Sequence, residues 1–182
     1  RPRVAILREQ GVNGHVEMAY AFDYCGFEAV DVHMSDLIAG RQDLRSFEVL
    51  AACGGFSFGD VLGAGSGWAR SILFNDKLAL MFKNFFHRQN TLVLGVCNGC
   101  QMITELAPLI PGAAHFRPMA RNNSQQFEGR LTLTSLPNSR SCLLKNLEGT
   151  RFPIAVAHGE GRFTHTESEV KKLSEAGLTS LK

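Results

Sequence analysis

A cysteine stands where a buried strand is predicted to turn into a helix, at Cys97 in the run LVLGVCNGCQ (residues 92–101). Gly95 and Gly99 leave room for a tight backbone, so the side chain should project above the edge of a sheet. The first turn of the following helix offers unpaired N–H groups and a positive dipole end. Both favour a thiolate, the form in which cysteine is a nucleophile. The spacing therefore predicts Cys97 as a nucleophile.

Two other interpretations of Cys97 stay open at this point. Cys97 and Cys100 have the C-x-x-C spacing of a thioredoxin-like redox pair, which also opens a helix after a strand. The same spacing could form half of a zinc site, but no second C-x-x-C is present to complete four ligands. We rank a nucleophile first, a redox pair second and zinc last, and predict no metal site. The other cysteines are interpreted as structural, as most cysteines are: Cys25, Cys53, Cys100 and Cys142.

A glycine-rich loop, residues 54–60, follows another predicted buried strand. A tight turn alone would explain it. In acyl transfer to a thiol, however, glycines also let backbone N–H groups approach an oxyanion. One donor is expected from Gly55 or its neighbour and the other from the N–H of Asn98, directly after the nucleophile. The two accounts of the loop are about equally favoured.

A cysteine nucleophile needs a base, and the chain has six histidines. In His158-Gly159-Glu160, the histidine and the carboxylate are two residues apart at a strand end and should point the same way. A carboxylate that orients a histidine is the arrangement that serves a thiolate. His158 is therefore the candidate base, whereas His33 and His87 are expected to have no role in the site.

Composition excludes several classes of protein. With 182 residues, 45% of them hydrophobic and 20% charged, the chain can bury a core as one domain, residues 1–182. A net charge of +2 gives no reason to expect a nucleic-acid partner, and no apolar run is long enough to span a membrane. Five irregularly spaced cysteines indicate reduced thiols and a cytoplasmic protein.

Strands and helices alternate through the first half of the chain. Strands are predicted at residues 4–7, 28–34, 47–53 and 91–97, and helices at 15–25, 68–86 and 100–106. The second half is predicted to contain strands at 131–134 and 152–157 and a helix at 167–176. This order predicts an α/β fold, a mostly parallel, doubly wound sheet with helices on both faces, as in flavodoxin-like three-layer folds. Ligands should bind at the carboxyl ends of the strands, where three glycine-rich loops fall: 11–14, 54–59 and 95–99.

Six runs spread over the chain carry a family resemblance: VAILREQGVNGHVEMAYAF, VDVHMSDL, CGGFSFGDVLGAGSGWARSILFN, TLVLGVCNGCQM, RNNSQQFEGR and IAVAHGEGR. In this order they resemble the glutaminase domains of phosphoribosylformylglycinamidine synthases, which are class I glutamine amidotransferases. The resemblance implies that the domain hydrolyses L-glutamine and passes ammonia to a synthetase domain. That partner uses ATP and magnesium to convert formylglycinamide ribonucleotide to the amidine, whereas the glutaminase domain needs no cofactor of its own.

The same resemblance implies roles for particular residues. Cys97 matches the thiol that forms the glutamyl thioester, and Gly55 and Asn98 match the oxyanion turn. The glutamine-binding residues implied in this way are Gln101, Gly159 and Glu160.

One expected segment is missing from the sequence. In the family, the catalytic histidine and glutamate lie in a Pro-His-Pro-Glu segment further downstream, and no such segment is present. The chain is therefore expected to be a fragment that lacks its C-terminal part and has little activity alone. The alternative function is a glutaminase-like module without catalysis that serves in docking or regulation.

Overall fold

The computed structural model describes residues 1–181, and its internal contacts form two compact units, Arg1–Met119 and a second from Ala120 onward. In the first unit, four strands form one sheet in the order β2-β1-β3-β4, and every neighbouring pair is parallel. The strands are β1 (Arg3–Arg8), β2 (Glu28–His33), β3 (Val49–Ala52) and β4 (Leu92–Gly95). The helices are α1 (His15–Tyr24), α2 (Met34–Ala39), α3 (Ser66–Leu73), α4 (Asp76–Phe86) and α5 (Asn98–Glu105).

The central strands are buried along their length, which explains their apolar sequences. Every residue from Val4 to Leu7 and from Leu50 to Ala52 is at most 1% exposed, so both faces of the sheet are covered. The chain steps from β1 to β2 in one direction and from β3 to β4 in the other. Because such crossovers are right-handed, α1 lies on one face and the helices between β3 and β4 on the other. The predicted doubly wound α/β fold is confirmed.

The structure differs from the predicted elements in three places, two of which involve a helix cap. The prediction of a single helix at 68–86 is wrong, because Asn75 accepts a hydrogen bond from Leu78 N at 3.1 Å and starts a new helix. Helix α2 was not predicted, although His33 caps it by accepting from Ser35 N at 3.0 Å. The fourth strand ends at Gly95 rather than at residue 97.

The second unit has a different construction. Strands β5 (Glu128–Ser135) and β6 (Arg151–His158) form an antiparallel ribbon, and α6 (Glu167–Glu175) follows with a Thr166–Glu169 capping box. Both strands are longer than predicted. That residues 1–182 form a single domain stays a prediction. Among residues 1–181, no helix has both the length and the apolar character needed to cross a bilayer.

Candidate active site

The register of the parallel sheet brings three chain segments to one edge. Leu7 pairs with Ala52, and Ala52 pairs with Gly95, so β1, β3 and β4 end side by side. The three glycine-rich loops follow these ends directly, as the sequence predicts. The site is therefore built on the rigid end of a buried sheet.

Cys97 occupies a strained turn between β4 and α5. Its φ and ψ are 53° and −118°, a left-handed region that residues other than glycine rarely enter, and its side chain is exposed. Val96 N donates to Ala52 O at 3.0 Å, which keeps the chain paired with β3 up to the turn. Gly99 completes the turn, because a Cβ atom there would lie only 2.1 Å from Ala52 O. The predicted sharp strand-to-helix turn is present, with the thiol accessible above it.

The loop after β3 runs directly beside the thiol. A Cβ atom added to Gly54 would lie 2.8 Å from Cβ of Cys97 and 3.6 Å from its Sγ, so only glycine fits there. Asn13 N and Gly14 N donate to Gly54 O at 3.3 and 3.2 Å. The bond from Asn13 N to Gly54 O lies next to the antiparallel bridge between Val12 and Gly55 and makes that bridge a non-hydrogen-bonded pair. The N–H of Gly55 therefore points away from Val12 and stays available as a donor.

Asn98 and Gln101 lie on the first turn of α5. Both side chains are nearly buried, at 2% and 7% exposure. As the first helical residue, Asn98 has a backbone N–H without an intrahelical partner. Its Nδ2 donates to Gln101 Oε1 at 3.3 Å, so the predicted glutamine-binding side chain belongs to a buried polar network.

The remaining predicted site residues, His158, Gly159 and Glu160, lie in the second unit. Asn122 Nδ2 donates to the carbonyls of Gln126 at 3.0 Å and His158 at 2.8 Å, which makes its Oδ1 the acceptor for His158 Nδ1 at 3.0 Å. Nδ1 of His158 therefore carries the proton, and in the neutral ring Nε2 is the basic nitrogen. An asparagine thus orients His158, a partner that the sequence analysis missed.

Comparison with known proteins identifies the family. The family model for CobB/CobQ-like glutamine amidotransferase domains matches residues 1–182. The chain belongs to this family. The recognition of a glutamine amidotransferase from its motifs is thereby confirmed.

Two solved structures have a similar fold. The structure of PurLQS from Thermotoga maritima matches with a TM-score of 0.73 and 24% identity, over 92% of this chain and 71% of that one. The crystal structure of SMU.1228c matches with a TM-score of 0.52 and 15% identity, over 91% of this chain and 64% of that one. At these identities the likeness concerns the fold.

The other four cysteines of this amidotransferase domain are less suited to act as the nucleophile, because they are wholly or partly buried or lie outside the glycine-rich loops. Burial raises the pKa of the Cys53 thiol to about 12. The pKa of the Cys100 thiol is also raised, mainly by burial and to a smaller extent by its electrostatic interaction with Cys97. A thiol with a raised pKa is protonated at neutral pH and reacts slowly. Cys25 and Cys142 are exposed and lie outside the glycine loops. All five are free thiols in the part of the chain that the structure describes.

The amidotransferase domain has one prominent polar residue that the sequence analysis did not select. The Asp60 carboxylate accepts hydrogen bonds from Asn98 Nδ2 at 2.9 Å and from Gly65 N at 2.8 Å. The only signal in the sequence is a carboxylate at the end of the glycine loop. Within residues 1–181, no group of three or more His, Cys, Asp and Glu side chains is placed to hold a metal ion.

Proposed function

We propose that this chain is the glutaminase part of a phosphoribosylformylglycinamidine synthase. It supplies ammonia from L-glutamine for the ATP-dependent conversion of formylglycinamide ribonucleotide to formylglycinamidine ribonucleotide by a synthetase domain. Membership of the glutamine amidotransferase family supports the glutaminase half of the proposal. The six family-like runs and the fold shared with PurLQS support the assignment to this step of purine biosynthesis.

The chemistry is carried by one observation, the exposed thiol of Cys97 on a strained turn at a helix N-terminus. The thiolate attacks the side-chain amide carbon of glutamine, and the N–H groups of Asn98 and Gly55 stabilise the resulting oxyanion. The C–N bond breaks, the nitrogen takes a proton and leaves as ammonia, and a glutamyl thioester remains. Water then hydrolyses the thioester to glutamate and the free thiol.

A catalytic base takes the proton of the Cys97 thiol and returns it to the leaving nitrogen. His158, whose Nδ1 is held by Asn122, is the candidate that the sequence offers for this base, alongside the histidine that the family carries in a downstream segment. Gly159 and Glu160 would hold the amino-acid end of glutamine, with Gln101 as the further contact on α5. The domain needs no cofactor of its own, whereas ATP and magnesium act in the synthetase domain.

Exposed apolar residues that follow Gly54 along the chain favour a protein partner. Phe56, Phe58 and Val61 are 77%, 75% and 94% exposed, on the loop that runs past Cys97. Clusters of this kind mark interaction sites. The synthetase domain is the partner we propose, because ammonia must pass to it without loss to water. The free cysteines fit a cytoplasmic location.

Labelling with a chloroketone analogue of glutamine tests the nucleophile. Its carbonyl stands where the amide carbonyl of glutamine does, and the thiolate displaces chloride to form a thioether. We expect intact-mass spectrometry and peptide mapping to find one label, at Cys97, protected by L-glutamine. Cys97→Ser should remove the label and any glutamine hydrolysis, whereas the matched variant Cys100→Ser should retain both.

Other outcomes of the same experiment would contradict the proposal. A folded chain that is neither labelled nor active would favour a docking or regulatory module. Equal losses in both variants, together with a requirement for reductant in the parent, would favour the redox pair.

Glutamine turnover by the 182-residue chain tests the base separately. If catalysis requires groups other than His158, the analogue should react slowly and turnover should be close to zero. Hydrolysis at an enzyme-like rate that His158→Ala abolishes would instead identify His158 as the base, with Asn122 holding its Nδ1.

A further inference from the structure

The Asp60 carboxylate joins three segments around the nucleophile turn. It accepts from Ser57 Oγ at 3.0 Å within the glycine loop and from Gly65 N at 2.8 Å at the start of α3. It also accepts from Asn98 Nδ2, at 3.2 Å to Oδ1 and 2.9 Å to Oδ2, at the start of α5. Because Asn98 lies 38 positions from Asp60, this one side chain fixes the glycine loop and the start of α3 against the start of α5.

The burial of its partners shows that this network is part of the interior. Ser57 and Asn98 are 4% and 2% exposed, although Asp60 itself is only half-buried. In residues 1–119, the buried polar side chains all lie in the glycine loop or on α3 and α5: Ser57, Ser66, Asn98, Gln101 and Thr104. The buried residues of β1 and β3 are apolar by contrast, so the polar cluster lies around the segments that carry and flank Cys97.

The orientation of the Asn98 amide is set by Asp60. Its Nδ2 faces the carboxylate, while its Oδ1 is buried without a hydrogen-bond partner among the described residues. A rotated amide would place Oδ1 against the carboxylate, where two acceptors would repel each other. The fold thus tolerates an unpaired buried oxygen in order to keep the bond to Asp60, which is unusual in a native interior.

We propose that Asp60 is a positioning residue for the oxyanion hole, an inference that rests on the proposed glutaminase function. Asn98 supplies one backbone N–H donor, and Gly55 lies in the loop that Asp60 ties to α5. The bond from Asp60 to Asn98 therefore sets the spacing between the two donors. Asp60 acts through Asn98 and the loop, and does not touch the reacting atoms.

Positioning of this kind affects some reactions of Cys97 more than others. With the chloroketone, the thiolate first adds to the ketone carbonyl and places negative charge on its oxygen, which aligned donors stabilise; the sulfur then displaces chloride from the neighbouring carbon as the carbonyl re-forms, and the thioether remains. Displacement of iodide from iodoacetamide develops no oxyanion and needs only an accessible thiolate. Loss of Asp60 should therefore slow attack on the glutamine chloroketone but change alkylation by iodoacetamide little.

The test measures both rate constants at Cys97 by intact-mass spectrometry, for the parent chain and for Asp60→Ala. We expect the ratio of the chloroketone to the iodoacetamide rate constant to fall about 10- to 100-fold, the scale associated with a misplaced catalytic group. A general structural defect would change both rate constants together. Asp43→Asn is the control, because Asp43 pairs with Arg45 on the surface and should leave the ratio unchanged.

A second variant decides the question if Asp60→Ala does not fold. In Asp60→Asn the side chain keeps its size, and Asn98 can rotate so that its Oδ1 accepts from the new amide. We expect a smaller fall in the ratio, about threefold to tenfold, with circular dichroism like that of the parent.

The results separate this inference from the function on which it rests. A parent chain that the chloroketone does not label at Cys97 would overturn the proposed function and the inference with it. A labelled parent with an unchanged ratio in the folded Asp60 variants would overturn the inference alone.

Discussion

Apolar packing holds the first unit together, whereas hydrogen bonds provide much of the order in the second. Trp68, Phe82 and Phe85 are at most 2% exposed beneath the parallel sheet. In residues 120–181, Leu136 is the buried hydrophobic side chain, and the buried Asn122 forms several of the local contacts. On the ribbon, Leu131 and Leu133 are 76% and 67% exposed.

The difference shows how the two units are suited to different tasks. A close-packed sheet keeps the strained turn at Cys97 in place, since a strained backbone persists only where its surroundings determine it. A unit with few buried apolar contacts and many exposed backbone groups opens locally at lower free energy. We expect the nucleophile to be fixed and the segment around His158 to be more adaptable.

The largest expected effect tests the core of the first unit. Phe82→Ala should lower the free energy of unfolding by about 3–5 kcal/mol, because it removes a fully buried ring and leaves a cavity. The matched substitution in the second unit, Leu131→Ala, should change it by less than about 0.5 kcal/mol. Urea unfolding followed by circular dichroism measures both. Similar values for the two variants would show that the ribbon is packed more tightly than its exposure suggests.

The second test removes the polar centre of the second unit. Asn122→Ala leaves the carbonyls of Gln126 and His158 and the ring of His158 without their partner, a loss of about 1–3 kcal/mol. Hydrogen exchange by mass spectrometry should become faster in residues 120–165 and stay unchanged in β1 and β3. Equal acceleration in both units would mean that they unfold as one cooperative body.

Alkaline titration gives a smaller effect that depends on the tight core. Burial raises the pKa of Cys53 from its ordinary 9.0 to about 12, so between these values the folded state keeps a proton that the unfolded state has lost. Stability therefore falls as the pH rises above 9, by about 1.4 kcal/mol at pH 10. Cys53→Ala should show a shallower fall between pH 8 and 10 in urea unfolding. The exposed control, Cys25→Ala, should lose stability with pH as the parent does. If Cys53→Ala also lost stability as steeply as the parent, the effect would be disproved.

The smallest effect concerns an exposed ion pair at the edge of the first sheet. The hydrogen bond from Arg8, at 2.7 Å, holds the pKa of Asp31 below its ordinary 3.8. The contribution is therefore present above about pH 4 and is lost as the pH falls through the lowered pKa. Because the pair is largely solvent-exposed, Asp31→Asn should cost less than about 1 kcal/mol at pH 7 and less than that at pH 2. Thermal unfolding at both pH values checks this, and an equal cost at pH 2 would point to packing rather than charge.

Several features of this protein follow from the sequence alone. Continuous apolar runs in β1 and β3 indicate strands buried on both faces, and their alternation with helical patterns implies a parallel sheet. The glycines around Cys97 predict the turn, because only small residues allow so close a passage of strand and helix. The family could also be recognised, since the motifs are local and ordered along the chain.

Other features were decided only by the tertiary structure. In the sequence Asp60 is one carboxylate in a glycine-rich loop, and only folding brings it to Asn98, which lies 38 positions away. The role of Asn122 is likewise invisible in the sequence, because its partner His158 lies 36 positions further along the chain. Local pattern determines which segments form strands, helices and turns. Which polar groups meet depends on sheet register and loop paths, and these are set by the packing of the whole unit.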